Sequence, residues 1–186
     1  MSVLSRDEVL VVVEARVASE NLRRHMLATE AIMRALAARL GEDAELWGLA
    51  GLAHDLDSEE TEDDFTRHGA VAAETLRELG VPEEAVHAVS AHNAATGVAA
   101  ESPFDVALLA ADQLSGLITA AALVRPDKDL AGVKLKSLRK RFREGAFARG
   151  VDREAIARCD SLGLQLDELM GIGLEAMQGI APRLGL

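Results

Sequence analysis

Six side chains able to ligate a metal recur along the first two thirds of this chain: His25, the adjacent pair His54-Asp55, His68, His92 and Asp112. Their wide, ordered spacing constrains the fold more than any other feature, because each falls within what reads as a separate helix. Side chains from several helices meet at one point only if the helices bundle around it. A bundle core lined with imidazole and carboxylate is either a metal site or a badly frustrated core.

The rest of the sequence agrees with a bundle. Apolar residues make up 49% of the chain, but Tyr is absent and aromatics are only 3%, so the core must be built from Ala, Leu, Val, Ile and Met. Ala and Leu in that abundance favour helix. β-Branched runs bounded by turn residues are nearly missing, apart from Val11-Val12-Val13. The expected class is all-α, in one domain over 1–186.

Helix signals can be followed along the chain. Ser5-Arg6-Asp7-Glu8 has the form of a capping box opening a first helix to about Ala18. A second helix starts at Ser19 or Asn21 and reaches Leu40, with His25 bordering the stripe of Leu22, Met26, Met33 and Leu36, and Gly41 stops it. A third is expected from Asp43 to His54. The acidic run from Asp57 to Asp64 reads as a polar loop, and a fourth helix should begin near Phe65, placing His68 on its inner stripe. Pro82 opens a fifth helix at the first helical position, with His92 on its inner side. After a loop from Asn93 to Glu101, Ser102-Pro103 starts a long helix that holds Asp112 and ends before Pro126. One or two short helices follow, with Asp152 as a cap, then an amphipathic helix from about Leu164 to Met177. Leu164, Leu166, Leu169, Met170, Leu174 and Met177 are apolar enough either to complete a pocket or to form a homodimer face.

Any one of the histidines alone reads as a hydrogen-bonded core residue. Together they differ: inward histidines on several helices, beside a His-Asp pair and a second buried Asp, are hard to satisfy without a cation. A carboxylate in a dry core costs several kcal/mol unless paired. A divalent metal supplies that pairing, with neutral imidazoles completing its shell. His87 stands apart. It precedes His92 by five residues, so at about 100° per residue the two lie about 140° apart around the axis, and His87 belongs to the surface or behind the ligands.

The order His25, His54-Asp55, His68, His92, Asp112 resembles the HD superfamily of metal-dependent phosphohydrolases, in the branch with two extra histidines. The likeness spans roughly Asn21 to Leu123. The stretches Ala111 to Ala121 and Val133 to Phe142 also resemble a small family of uncharacterised HD hydrolases. The resemblance implies an HD-type helical bundle, a metal-binding core over 21–123 and a C-terminal helical extension over 124–186. It implies that His25, His54, Asp55 and Asp112 hold a first divalent ion, and that His68 and His92 hold a second, bridged by Asp55. The metal could be Fe, Mn, Mg, Co or Zn. The chain departs from relatives in reading Leu56-Asp57-Ser58 after the His-Asp pair, in having Asn93 where a further histidine can stand, and in lacking the Gly-Tyr-Pro signature of cyclic-dinucleotide phosphodiesterases.

The implied activity is hydrolysis of a small phosphate ester or nucleotide by metal-activated water, with Asp55 central. Asp57, two residues on, is a candidate general acid or water-positioning group, or else a cap for the next turn. Phosphate-binding candidates are Arg24, beside His25, and Lys136 and Lys140, one helical turn apart in the basic run from Lys134 to Arg143; the alternative is that these cations simply face water. The acidic run from Glu59 to Asp64 reads as a lid or a solvated linker. Two other functions fit the same residues: a di-iron oxygenase, for which four His and two Asp suffice, and a non-catalytic nucleotide-binding module. The net charge of −11 argues against nucleic acid as a partner. A single cysteine, and the lack of an uncharged stretch of about 18 apolar residues, point to a cytoplasmic chain with no membrane partner.

Overall fold

The structure, a computed structural model, describes residues 4–186. It is all-α: ten α-helices joined by short 3-10 turns, with no strand among the described residues. They are α1 (Arg6–Arg16), α2 (Glu20–Leu40), α3 (Ala44–Ala53), α4 (Ala70–Glu78), α5 (Glu83–Ala91), α6 (Pro103–Leu123), α7 (Leu135–Arg143), α8 (Arg153–Ala157), α9 (Leu166–Gln178) and α10 (Ala181–Leu184).

Local chemistry sets the starts and stops. The Ser5–Glu8 capping box is formed, and a second one, Ser102 with Asp105, opens α6 behind Pro103. The side chains of Ser19 and Asp43 take the first free N–H groups of α2 and α3. Gly41, at φ 80°, ends α2 in the left-handed conformation that glycine adopts without a Cβ clash.

Two long helices form the centre. Met26, Ile32, Met33 and Leu36 of α2, and Leu108, Leu114, Leu117 and Ile118 of α6, are fully buried. Each such side chain stabilises the fold by about 1.5–3 kcal/mol. α3 lies along α2, and the approach is close: a Cβ on Gly51 would stand 3.0 Å from the backbone of Glu30. α5 packs on α4 and α6, α8 packs on α6, and α9 packs on α2, α6 and α7. The apolar face of α9 is thereby filled within the chain, with Leu169, Met170 and Met177 fully buried. α6 is long and apolar enough to cross a membrane by length and composition, but it is mostly buried in the bundle.

Three stretches differ from the sequence expectation. The first helix stops at Arg16 rather than Ala18, because the backbone N–H groups of Ala18 and Ser19 turn away to the Glu59 carboxylate, at 2.9 and 2.8 Å. The acidic run is therefore neither lid nor plain linker at its start: Asp57 and Thr61 are buried, and Glu59 fastens the run to the head of α2. The fourth helix begins at Ala70, not near Phe65, so His68 sits in a turn before it. Gly69, at φ 86°, takes a backbone conformation that would strain any other residue. It lies against Val89 and the His92 ring, where an added Cβ would meet the Val89 carbonyl oxygen at 3.0 Å.

Candidate metal centre

The bundle brings His25, His54, Asp55, His68, His92 and Asp112 to one point. His25 comes from the first turns of α2 and Asp112 from the middle of α6. His54 and His92 are the residues at which α3 and α5 end, Asp55 follows directly, and His68 is delivered by the turn before α4. His54, Asp55, His68 and His92 are buried, and His25 is partly so.

Each imidazole is held by its outer nitrogen. Nδ1 of His54 is 2.9 Å from the Gly51 carbonyl, and Nδ1 of His92 is 2.5 Å from that of Val89. Nδ1 of His68 is 2.9 Å from the Asp57 carboxylate. Carbonyl and carboxylate oxygens only accept, so these three Nδ1 atoms carry the proton. The Ser115 hydroxyl donates to the Asp112 carbonyl, at 2.8 Å, and so accepts from Nδ1 of His25, at 2.9 Å. The four Nε2 atoms are left pointing inward.

Those nitrogens face one another. Nε2 of His25 and His54 are 3.3 Å apart, and Nε2 of His68 and His92 are 3.1 Å apart. Asp55 stands between the pairs, with Oδ1 3.4 Å from His54, 3.2 Å from His68 and 3.5 Å from His92, and Oδ2 3.5 Å from His25. Asp112 Oδ1 lies 3.0 Å from His25 and 3.8 Å from His54. Neighbouring ligands of one cation with bonds of about 2.1 Å lie about 3.0–3.4 Å apart. The donor set thus fits metal ions: His25, His54 and Asp55 form one group able to hold an ion, and Asp55, His68 and His92 form another.

Protonation equilibria carry the same imprint. Burial alone would raise the Asp55 carboxyl, but His54, His68, His92 and His25 outweigh it and hold it well below the carboxylate range. Asp112 is depressed in the same way by His25 and His54, against its burial. Burial would lower His68, yet Asp55 and Asp57 push it up to about 9. Without a cation, protons occupy the place that positive charge must fill.

Beside this centre opens a cavity of about 820 Å³, within the range of small-molecule sites. Asp55, His68, His92 and Asp112 form part of its wall, and Phe65 and the loop from Ala94 to Ala100 form another part. A further part of the wall comes from beyond the long helix: Asp152, Glu154, Ala155 and Arg158.

Three sequence expectations need correction. Asp57 does not face the cavity. It is fully buried, with Oδ1 on His68 and Oδ2 accepting from the N–H groups of Gly69 and Ala72, both at 2.8 Å. It positions His68 and caps α4, and no lone oxygen remains for a reacting water. Lys136 and Lys140 are not in the cavity wall: α7 packs on α9 and α6, and Lys140 lies 3.8 Å from Glu144. Arg24 pairs with Glu20 and lines a separate depression of about 430 Å³, with His25 and the residues from Leu184 to Leu186. Asn93, which stands where relatives can carry a further histidine, is a tie: its amide donates to the Phe65 and His68 carbonyls at 2.8 and 2.9 Å.

Two residues escaped the sequence reading. Gln113 donates to Asp112 Oδ2 at 2.7 Å and accepts from the backbone N–H of Asp152 at 2.8 Å. Arg158 is the one Lys or Arg in the cavity wall among the described residues. Gln113 was signalled only by adjacency to Asp112, and Arg158 by nothing local. His87 lies off the centre, 3.1 Å from Asp105, as the helical angle required.

Comparison with known proteins agrees with this geometry. A family model described as HD domain matches residues 22–121. Among curated proteins, Ribonuclease Y of Desulfotalea psychrophila is 31% identical over 97 residues, which is 52% of this chain and 18% of that protein. Ribonuclease Y of Frankia alni is 34% identical over 97 residues, 52% of this chain and 13% of that protein. The chain therefore spans less than a fifth of the length of either relative. No solved structure matches it.

Proposed function

This chain belongs to the HD domain family, a superfamily of metal-dependent phosphohydrolases, and from that premise we propose that it hydrolyses a small phosphate ester or nucleotide at a centre of two divalent ions. The observation that carries the reading is the pair of facing Nε2 contacts, His25 with His54 and His68 with His92, with Asp55 between them. His25, His54 and Asp112 would hold one ion, His68 and His92 the other, and Asp55 both. Paired divalent ions acidify water and stabilise the attacking and leaving oxygens of a phosphoryl displacement.

The protein's own contribution is orientation. Gly51, Val89, Ser115 and Asp57 fix the four rings in one tautomer, so the donors need no rearrangement to receive cations. Asp55 and Asp112 stay ionised through the working pH range because the imidazoles hold them there. The small side chains of Ala91, Ala94, Ala99 and Ala155 leave room for a substrate beside the donors.

The curated relatives are named as ribonucleases, and a nucleic acid phosphodiester would use the same chemistry. The cavity favours a small substrate instead. Its wall carries one cation against Asp152 and Glu154, and the net charge is −11, whereas a polyanion needs many basic contacts.

The test is metal content and turnover together, on protein purified without a metal-binding tag. About two equivalents of divalent metal, with hydrolysis of p-nitrophenyl phosphate or nucleoside monophosphates that chelation abolishes, are expected. Two equivalents of iron with dioxygen consumption and no phosphate release would replace hydrolysis with oxygenation.

A further inference from the structure

We infer that Arg158 binds the anionic group of the substrate, and that the segment after the long helix supplies the residue on which substrate affinity depends. The inference rests on the phosphohydrolase reading. It concerns a residue outside the matched segment 22–121.

Three observations carry it. First, charge: the cavity wall holds Asp55, Asp112, Asp152 and Glu154 but only one permanent cation, Arg158. Cations at the centre would answer for Asp55 and Asp112. Asp152 and Glu154 still repel a phosphate, and Arg158 is the one Lys or Arg among the described residues of the wall to attract one. Second, availability: the guanidinium makes a single hydrogen bond among the described residues, from Nη2 to the Ala100 carbonyl at 2.6 Å. An arginine has five N–H donors in a planar fork suited to phosphate oxygens. That bond also joins Arg158 to the loop from Ala94 to Ala100 in the cavity wall. Third, support: Ile156 and Cys159 on either side are buried, so the turn carrying Arg158 is anchored in the core. The anchor is tied to the metal centre through Gln113, whose amide spans from Asp112 to the Asp152 backbone. The turn that presents Arg158 and the helix that presents Asp112 are therefore held in one frame.

The test uses the full-length, Mn-loaded protein, with inorganic phosphate as competitive inhibitor and p-nitrophenyl phosphate as substrate. Arg158→Gln keeps a donor for Ala100 but removes the charge. It should weaken phosphate inhibition and raise KM by about 10- to 100-fold, with metal content unchanged. Arg158→Lys should recover most of the loss, which a purely structural tie to Ala100 would not require. Wild-type affinity retained in Arg158→Gln overturns the inference and leaves the hydrolase reading standing. If metal-loaded wild type neither cleaves the ester nor binds phosphate, the hydrolase reading itself falls, and the role of Arg158 with it.

Discussion

The Asp57 carboxylate grips His68 by Nδ1 at 2.9 Å, while Nε2 of the same ring stands 3.1 Å from its counterpart on His92. One side of the imidazole is thus spent on orientation and the other is free for a cation. Asp57→Asn leaves the side chain its shape and one carbonyl oxygen for the α4 amides, but removes the charge that fixes the ring. Metal affinity at the His68–His92 site should drop about 10- to 100-fold, read by titration with Mn or Co. The far-ultraviolet circular dichroism should stay helical. Undiminished affinity would mean that Asp57 only caps the helix.

Asp55 is the one donor facing all four imidazoles, so Asp55→Ala should remove both metal equivalents and all turnover. His87→Ala is the paired control. His87 is nearly half exposed and touches only Asp105 of the ionisable groups, so metal stoichiometry should not change. Elemental analysis of the two variants decides the matter.

Gly69 offers a backbone test of the same pocket. In Gly69→Ala the positive φ costs about 1–3 kcal/mol. The new methyl would also stand 3.1 Å from Cε1 of the His92 ring. A lowered melting temperature together with weakened metal binding is expected. A melting temperature equal to wild type would show that the turn relaxes freely.

His68 predicts a different response to pH with and without metal. Burial lowers its affinity for a proton, but Asp55 and Asp57 more than offset this and raise its pKa from 6.5 to about 9. In chelated protein the charged ring is favoured by the fold. That stabilisation is complete below pH 6.5 and is lost as the pH rises through about 9. The melting temperature of chelated protein should therefore fall across this window. Metal-loaded protein should stay flat there, because the cation has displaced the proton. Parallel thermal scans with and without chelator provide the comparison.

The basic helix gives a negative prediction. Lys136 and Lys140 lie outside the cavity wall, so the double change to alanine should leave KM for a phosphate ester within about twofold, in the range of ordinary surface substitutions. A large rise in KM would mean that α7 moves onto the substrate.

Much of the architecture was legible in the sequence because it rests on local chemistry. Ser5, Ser102, Asp43 and Gly41 announce helix ends by their own hydrogen bonds or backbone freedom. His25 and Asp112 could be placed from helical periodicity. His68 could be found but not placed. Its spacing from Leu76 suits a helix, yet Asp57 reaches across the chain to take the amides of Gly69 and Ala72, so the helix begins after the histidine. Glu59 was illegible for the same reason, since its partners Ala18 and Ser19 are distant in sequence. Arg158 marks the limit: whether a lone arginine faces a cavity is decided by how α8 docks on α6. The density of charge in α7 misled because composition says nothing about which wall a helix occupies.

The donors of the centre come from five separate stretches between His25 and Asp112, and apart from His54-Asp55 no two are neighbours in sequence. A growing or unfolded chain offers a passing ion only isolated, weak ligands. The six come within reach of one another only when α2, α3, α5 and α6 have closed together. Assembly of the donor set is thus coupled to folding, so any ion held there would stabilise the closed bundle.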